Sequence, residues 1–198
     1  GPTHHLLEDI ALMRAFPNIT IHSTSDAALA AAVAEQSCAW PNANYVRLDR
    51  QVLPDIHAGS KLDFQAGFAD LRPGKQATLV ATGYMVHKAL NVADLLKKDG
   101  IDLGVVDLFQ LPCDGDALAA RLSRAPAVFT LEEHFLPGGM GSAILEILAD
   151  RGVALPVRRF GMGNPGVYSY AYGGREIIHD TYNLSPEQIA ADICQALK

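Results

Sequence analysis

Glu132, Glu133 and His134 stand side by side, and Pro137, Gly138, Gly139, Met140 and Gly141 follow closely. Two carboxylates and an imidazole could move protons. Glycines ahead of a helix could bring free backbone N–H groups against an anion. Each possibility has a structural counterpart. Adjacent strand residues point to opposite faces, so Glu132 and Glu133 are not a natural acid–base pair. Interdomain hydrogen bonding is the preferred reading of these three residues. The glycine spacing is not Gly-x-Gly-x-x-Gly, so a dinucleotide fingerprint is not met. A tight turn with close strand–helix packing is preferred there. His87 and His179 fall on helical stretches and are expected to be partly exposed. The alternation Tyr168, Tyr170, Tyr172 suits an edge packed on a neighbouring domain or subunit better than a ligand surface.

The elements that must position these groups follow from periodicity. Residues 128–131 are a short apolar run read as a buried strand, and from Ser142 the pattern turns helical with Ile144, Leu145 and Leu148 on one face. Earlier, a helix is predicted over 6–16, a strand over 19–22, a helix capped by Ser25 or Asp26 running to Cys38, and a strand over 45–48. Periodicity fails over 51–76, where Pro54, Gly59, Gly67, Pro73 and Gly74 recur; a crossover with one short hairpin near 63–68 is expected. A second alternation follows: strand 78–81, helix 85–98, strand 103–108, helix to Leu122, the strand–turn–helix just described, strand 156–160, a Gly- and Tyr-rich loop over 161–174, and a short helix over 175–181. The last helix carries Ser185 as N-cap, Pro186 at its first position and Gln188 completing a capping box. Strands alternating with helices of this length predict an α/β fold with a mostly parallel sheet covered on both faces.

The bulk properties set limits. Of 198 residues, 49% are hydrophobic and 19% charged, which supports a packed core and excludes a disordered chain. A net charge of −6 argues against nucleic-acid binding, because no excess of cations is present to meet phosphates. No apolar run approaches the roughly 18 residues of a membrane span. Cys38, Cys113 and Cys194 are odd in number and lie in no metal-ligand spacing, which suits free thiols in a cytoplasmic protein. Residues 1–50 hold only two predicted strands, and a two-stranded sheet is marginal alone. The opening segment is therefore expected to be the back half of a domain whose front half lies outside the sequence.

Several motifs, in order, carry a resemblance. Gly1-Pro2-Thr3-His4, Glu8-Asp9, Met13-Arg14 and Pro17-Asn18 resemble the late part of the pyrimidine-binding domain of transketolases. Tyr45 to Gln51, with the order Tyr-Val-Arg-Leu-Asp-Arg-Gln, resembles the family strand that ends in an Arg. Thr130-Leu131-Glu132-Glu133-His134 with Gly138-Gly139-Met140-Gly141-Ser142, and Gly174-Arg175-Glu176 running into Tyr182-Asn183-Leu184, resemble the family's C-terminal domain. The chain is similar to transketolases, notably split-subunit ones, and less so to 1-deoxyxylulose-5-phosphate synthases. The E1 β-subunits of 2-oxo acid dehydrogenases share the architecture but fit the Thr-His segment poorly.

The resemblance implies three regions: the C-terminal part of a pyrimidine-binding domain over 1–56, a linker over 57–75, and a three-layer α/β/α transketolase C-terminal domain over 76–198. It implies ketol transfer between sugar phosphates by a thiamine-diphosphate- and Mg2+-dependent enzyme. It places His4 and Arg50 at the phosphate end of the substrate channel and gives this chain no catalytic residue. A guanidinium offers a donor fork that matches phosphate, and a histidine can donate near neutral pH. Arg47 lies near enough to Arg50 to be confused with it. The family's pyrimidine-activating glutamate and its Gly-Asp-Gly motif are not in these 198 residues, so no cofactor is expected on this chain alone. The partners implied are a sugar phosphate and a second copy, or a separate diphosphate-binding subunit, or both. A non-catalytic assembly or regulatory domain is the alternative.

Overall fold

A computed structural model describes residues 6–163 and 172–198. Fifteen elements are present among them: α1 Asp9–Arg14, β1 Ile19–Ser23, α2 Ala27–Ser37, β2 Ala43–Arg47, β3 Ala69–Arg72, β4 Ala77–Ala81, α3 Met85–Lys98, β5 Leu103–Asp107, β6 Gln110–Leu111, α4 Gly115–Leu122, β7 Val128–Phe135, α5 Met140–Asp150, β8 Val157–Met162, α6 Arg175–Thr181 and α7 Pro186–Ala196.

They form two sheets. The larger has the order β3-β5-β4-β7-β8. β5, β4, β7 and β8 run parallel, and β3 joins the edge antiparallel to β5. Every residue of β4 and β5 is buried, as expected of parallel strands covered on both faces. Alternation decides which face each side chain serves. Leu79, Val105, Phe129 and Leu131 meet Met85, Ala89, Val92 and Leu96 of α3 and Ile189 and Ile193 of α7. Val80, Val106 and Val128 point the other way, to Leu118 and Leu122 of α4 and Ile144 and Leu148 of α5.

The second core also takes in Ile10 of α1 and Ile21 of β1, so the opening segment packs directly on the larger unit. Its sheet has the order β2-β1-β6. β1 and β2 are parallel; β6 comes from the second half of the chain and pairs antiparallel with β1. Periodicity does not predict this strand, because two residues carry no period. β2 is an edge strand of the three and is half-buried to exposed. Among the described residues, the first two strands thus lie in a sheet that borrows a strand from elsewhere.

The stretch read as a linker contributes β3. A salt bridge explains its hold: Arg121 Nε and Nη2 reach the two oxygens of Asp70 at 2.6 and 2.8 Å. The hairpin expected near 63–68 is instead a turn, with Asp63 Oδ1 accepting from the backbone N–H of Gln65 and Ala66 and its carbonyl accepting from Gly67. Asp26, not Ser25, caps α2, accepting from Leu29 N at 2.7 Å. Asp114 caps α4 and Ser185 caps α7.

Candidate functional site

The end of β7 presents the three residues singled out first. Glu132 is wholly buried and faces the start of α5, where its carboxylate accepts from Met140 N at 2.6 Å and Gly141 N at 2.9 Å. Gly139 occupies the N-cap position and has no side chain to cap with, so a strand residue caps the helix in its place. The glycines are required by this fit. A Cβ on Gly139 would lie 2.2 Å from Glu132 Oε2, and one on Gly141 would lie 2.9 Å from Oε1. The helix terminus that could have held an external anion is filled by the chain's own carboxylate. Burial pushes the Glu132 carboxyl up to about 7, against the pull of the two N–H groups.

Glu133 turns to the other face. It accepts from Arg175 Nε at 2.8 Å and Nη2 at 3.2 Å, and from His179 Nε2 at 2.9 Å. Burial raises the Glu133 carboxyl, but the His179 hydrogen bond and the Arg175 charge outweigh it, and the group titrates below the usual range. His179 is therefore fully buried, contrary to the exposure expected from its helical position. It is the acidic partner on another element that draws it inward; His87 is partly exposed as expected.

His134 faces the opening segment. Its Nε2 accepts from Ala11 N at 3.3 Å and its Nδ1 hydrogen-bonds the Phe135 carbonyl, so Nδ1 carries the proton. Burial holds its pKa below the usual value and keeps the ring neutral. Phe135 N donates to the Leu7 carbonyl at 2.8 Å. Of the three, His134 and the Glu133 carbonyl bond to the opening segment, whereas the Glu132 and Glu133 carboxylates bond within the 76–198 region, contrary to the interdomain bonding expected of them; Glu132 and Glu133 do not form an acid–base pair.

The end of β2 is different. Arg47 is spent: its Nε meets Asp9 at 2.6 Å and its Nη2 the Glu133 carbonyl at 3.2 Å. Asp49 is held by Arg175 Nη2 at 2.6 Å. Arg50 is exposed and has no hydrogen bond or ion pair among the described residues. The two arginines differ here: Arg47 has Nε and Nη2 engaged within the fold, while the Arg50 side chain has no partner among the described residues. Leu48 and Val52, on either side, are exposed at 70% and 101%.

A third cluster has no signature in the sequence. Asp107 is fully buried at the end of β5, where its Oδ2 accepts from Ser25 Oγ and lies 2.9 Å from His57 Nε2. Asp26 Oδ2 accepts from the backbone of Ile56 and His57. Serine, histidine and aspartate meet here, but Ser25 donates to Asp107 and not to the histidine, and all three are buried. The arrangement is a buried polar tie between the opening segment, the 57–75 stretch and the larger sheet. The residues are far apart in sequence, and no local pattern links them.

The sequence profile of the transketolase C-terminal domain matches residues 68–189. The chain belongs to the transketolase C-terminal domain family. An apulose-4-phosphate transketolase subunit of Actinobacillus succinogenes is 32% identical over 94% of this chain and 60% of its own length. A 1-deoxy-D-xylulose-5-phosphate synthase of Geobacter sulfurreducens is 35% identical over 98% of this chain and 31% of its own. The structure of a split-gene transketolase, an inactive beta4 tetramer, superposes with a TM-score of 0.88 at 31% identity, covering all of this chain and 63% of that one. The chain therefore spans about three fifths of the length of its apulose-4-phosphate transketolase relatives.

Within this transketolase-family chain, His4 and the first two tyrosines of the 168–172 alternation lie outside the described residues. Tyr172 is 82% exposed. Among the described residues, no group of three or more His, Cys, Asp or Glu could hold a metal ion, and the glycine turn that could meet a diphosphate is filled by Glu132. No described helix is long and apolar enough to cross a membrane. Arg175 is the residue that sequence reasoning undervalues. Its Gly-Arg-Glu motif is visible, but its role depends on Asp49, Gln51 and Glu133, which are distant in the chain.

Proposed function

We propose that this chain is the C-terminal portion of a thiamine-diphosphate-dependent transketolase-type enzyme that moves a two-carbon ketol unit between sugar phosphates. In this reading the larger sheet is a structural domain, and the opening segment supplies the phosphate end of the substrate channel through His4 and Arg50. The observation that carries it is Arg50. Its guanidinium has no partner among the described residues and lies just past the carboxyl end of a parallel strand, where ligands of α/β sheets gather. Its five donors match the oxygens of a phosphate. Its job is to bind and orient; thiamine diphosphate and Mg2+ are held by the remainder of the enzyme, on an upstream segment, a separate subunit or a second copy. The relatives named as one subunit of a transketolase, and the split-gene neighbour, support such a division. Three free cysteines support a reducing, cytoplasmic setting.

The test uses the complete enzyme, with this chain joined to the part that carries the diphosphate domain. It should transfer ketol from a ketose phosphate to an aldose phosphate, in dependence on thiamine diphosphate and Mg2+. Arg50→Ala should lower kcat/KM for the phosphorylated acceptor roughly thirtyfold, about 2 kcal/mol for a charge-assisted hydrogen-bonding pair. The isolated chain should give no heat with thiamine diphosphate in calorimetry; a tight signal would overturn the division of labour.

A second reading is favoured by the synthase relative of Geobacter sulfurreducens. Turnover with a 2-oxo acid donor and not with ketose phosphates would support it, or an E1 β-like subunit. No turnover with either donor would favour a non-catalytic assembly domain.

A further inference from the structure

The residues just past β2 are held unequally. Arg175 Nη2 donates to Asp49 Oδ2 at 2.6 Å, and Arg175 Nη1 donates to Gln51 Oε1 at 3.2 Å. One guanidinium thus grips the side chains on both sides of Arg50. Arg50 itself is exposed and without a partner among the described residues. The loop has its own closure as well, since Gln51 N donates to Asp49 Oδ1 at 2.7 Å. It has no apolar anchor at Leu48 or Val52, which are both exposed.

The gripping guanidinium is braced in turn. Its Nε and Nη2 meet the Glu133 carboxylate, and His179 Nε2 holds the same carboxylate at 2.9 Å. The Tyr84 ring lies 4.2 Å from the guanidinium carbon. Glu133 belongs to β7, which is flanked by β4 and β8 inside the larger sheet. A rigid strand therefore fixes Arg175, and Arg175 fixes the loop. Burial pushes the Asp49 carboxyl up, but the Arg175 hydrogen bond outweighs it and the group stays below the usual range. The grip is a charged one at neutral pH.

Resting on the reading of Arg50 as a phosphate contact, we infer that Arg175 is a positioning residue for it. The C-terminal domain, through one guanidinium, sets where the phosphate-binding arginine of the neighbouring segment stands. A bidentate pair tolerates little misplacement, so loosening the loop weakens phosphate recognition without touching the substrate.

The experiment compares a phosphorylated sugar acceptor with its unphosphorylated counterpart, using the complete enzyme. Arg175→Ala should raise KM for the phosphorylated acceptor roughly tenfold or more and leave both constants for the unphosphorylated one unchanged. Arg175→Lys should not restore it, because an ammonium cannot span Asp49, Gln51 and Glu133 together. The double variant Arg50→Ala/Arg175→Ala should be no worse than Arg50→Ala alone. Equal losses on both acceptors, or losses that add in full, overturn the inference and leave Arg175 a purely structural residue. Should Arg175→Ala fail to fold, Asp49→Asn and Gln51→Ala carry the same comparison. If Arg50→Ala fails to separate the two acceptors, the phosphate reading falls, and the positioning role with it. If Arg50→Ala separates them and Arg175→Ala does not, only the positioning role falls.

Discussion

At the end of β7, Glu132, Glu133 and His134 each face a partner from the same chain. Just past the end of β2, Arg50 faces none among the described residues. Both places are carboxyl ends of parallel strands, and both carry charge. The difference is whether that charge is already satisfied. A buried ion must be paired or hydrogen-bonded, because desolvation otherwise costs several kcal/mol. Glu132 and Glu133 meet that demand inside the fold and become fixed parts of it. Arg50 stays in water, where an unpaired guanidinium costs little and remains available to a ligand. The neighbouring Arg47 makes the contrast sharper. It is the last residue of β2 itself, and its Nε and Nη2 are engaged by Asp9 and the Glu133 carbonyl.

The contrast can be broken at three points. Gly139→Ala strikes the satisfied end hardest. Its added methyl would sit 2.2 Å from Glu132 Oε2, 2.7 Å from His134 Nδ1 and 2.9 Å from the Phe135 carbonyl. The carboxylate cannot step aside without leaving two helix N–H groups unmet, so a loss of roughly 3 kcal/mol is expected in denaturant unfolding. A loss under about half a kcal/mol would mean that Glu132 does not hold α5.

A pH series sharpens the same end. The Glu132 carboxyl has an ordinary value of 4.5 and is raised to about 7 in the folded chain by burial. The folded state therefore holds an extra proton between those values. Stability from this group is full below about 4.5 and is lost as pH rises towards 7. Burial raises the Asp107 carboxyl too, which adds loss in the same direction. Glu132→Gln should remove its own share, on the order of 2 kcal/mol, from the fall between about pH 5 and pH 8. Parallel stability curves for the two proteins would show that Glu132 titrates normally.

The smallest effect belongs to the unsatisfied end. Arg50→Ala should change the unfolding free energy of this chain by less than about 0.5 kcal/mol, as for a surface site without partners. A loss above roughly 1 kcal/mol would mean that Arg50 has a structural partner after all, and the contrast with β7 would fail.

The elements themselves are legible in the sequence to a large extent. The 3.6-residue period of Met85–Lys98 and the capping box at Ser185 give α3 and α7 their places, and the Arg175–Thr181 helix has the bounds its sequence predicts. β3 and β6 are not legible, one lying within a Gly- and Pro-rich stretch and the other only two residues long. Their pairing partners, β5 and β1, supply the order that local sequence lacks. The preference for structural roles at Glu132, Glu133 and His134 follows from strand alternation and agrees with the geometry. His179 departs from expectation because helical position says nothing about an acid arriving from another strand.

By itself, the sequence determined the alternation of strands and helices, the apolar faces that pair them and the family to which the chain belongs. These are local quantities: periodicity, caps and turn chemistry are written within a few residues of each other. Only the tertiary structure decided which charges are spent. Glu132 closes on a helix terminus, Arg175 reaches across to Asp49, and Asp107 meets Ser25 and His57 across long stretches of chain. Desolvation and hydrogen bonding depend on neighbours in space, so Arg47 and Arg50 look alike in sequence and differ in the fold.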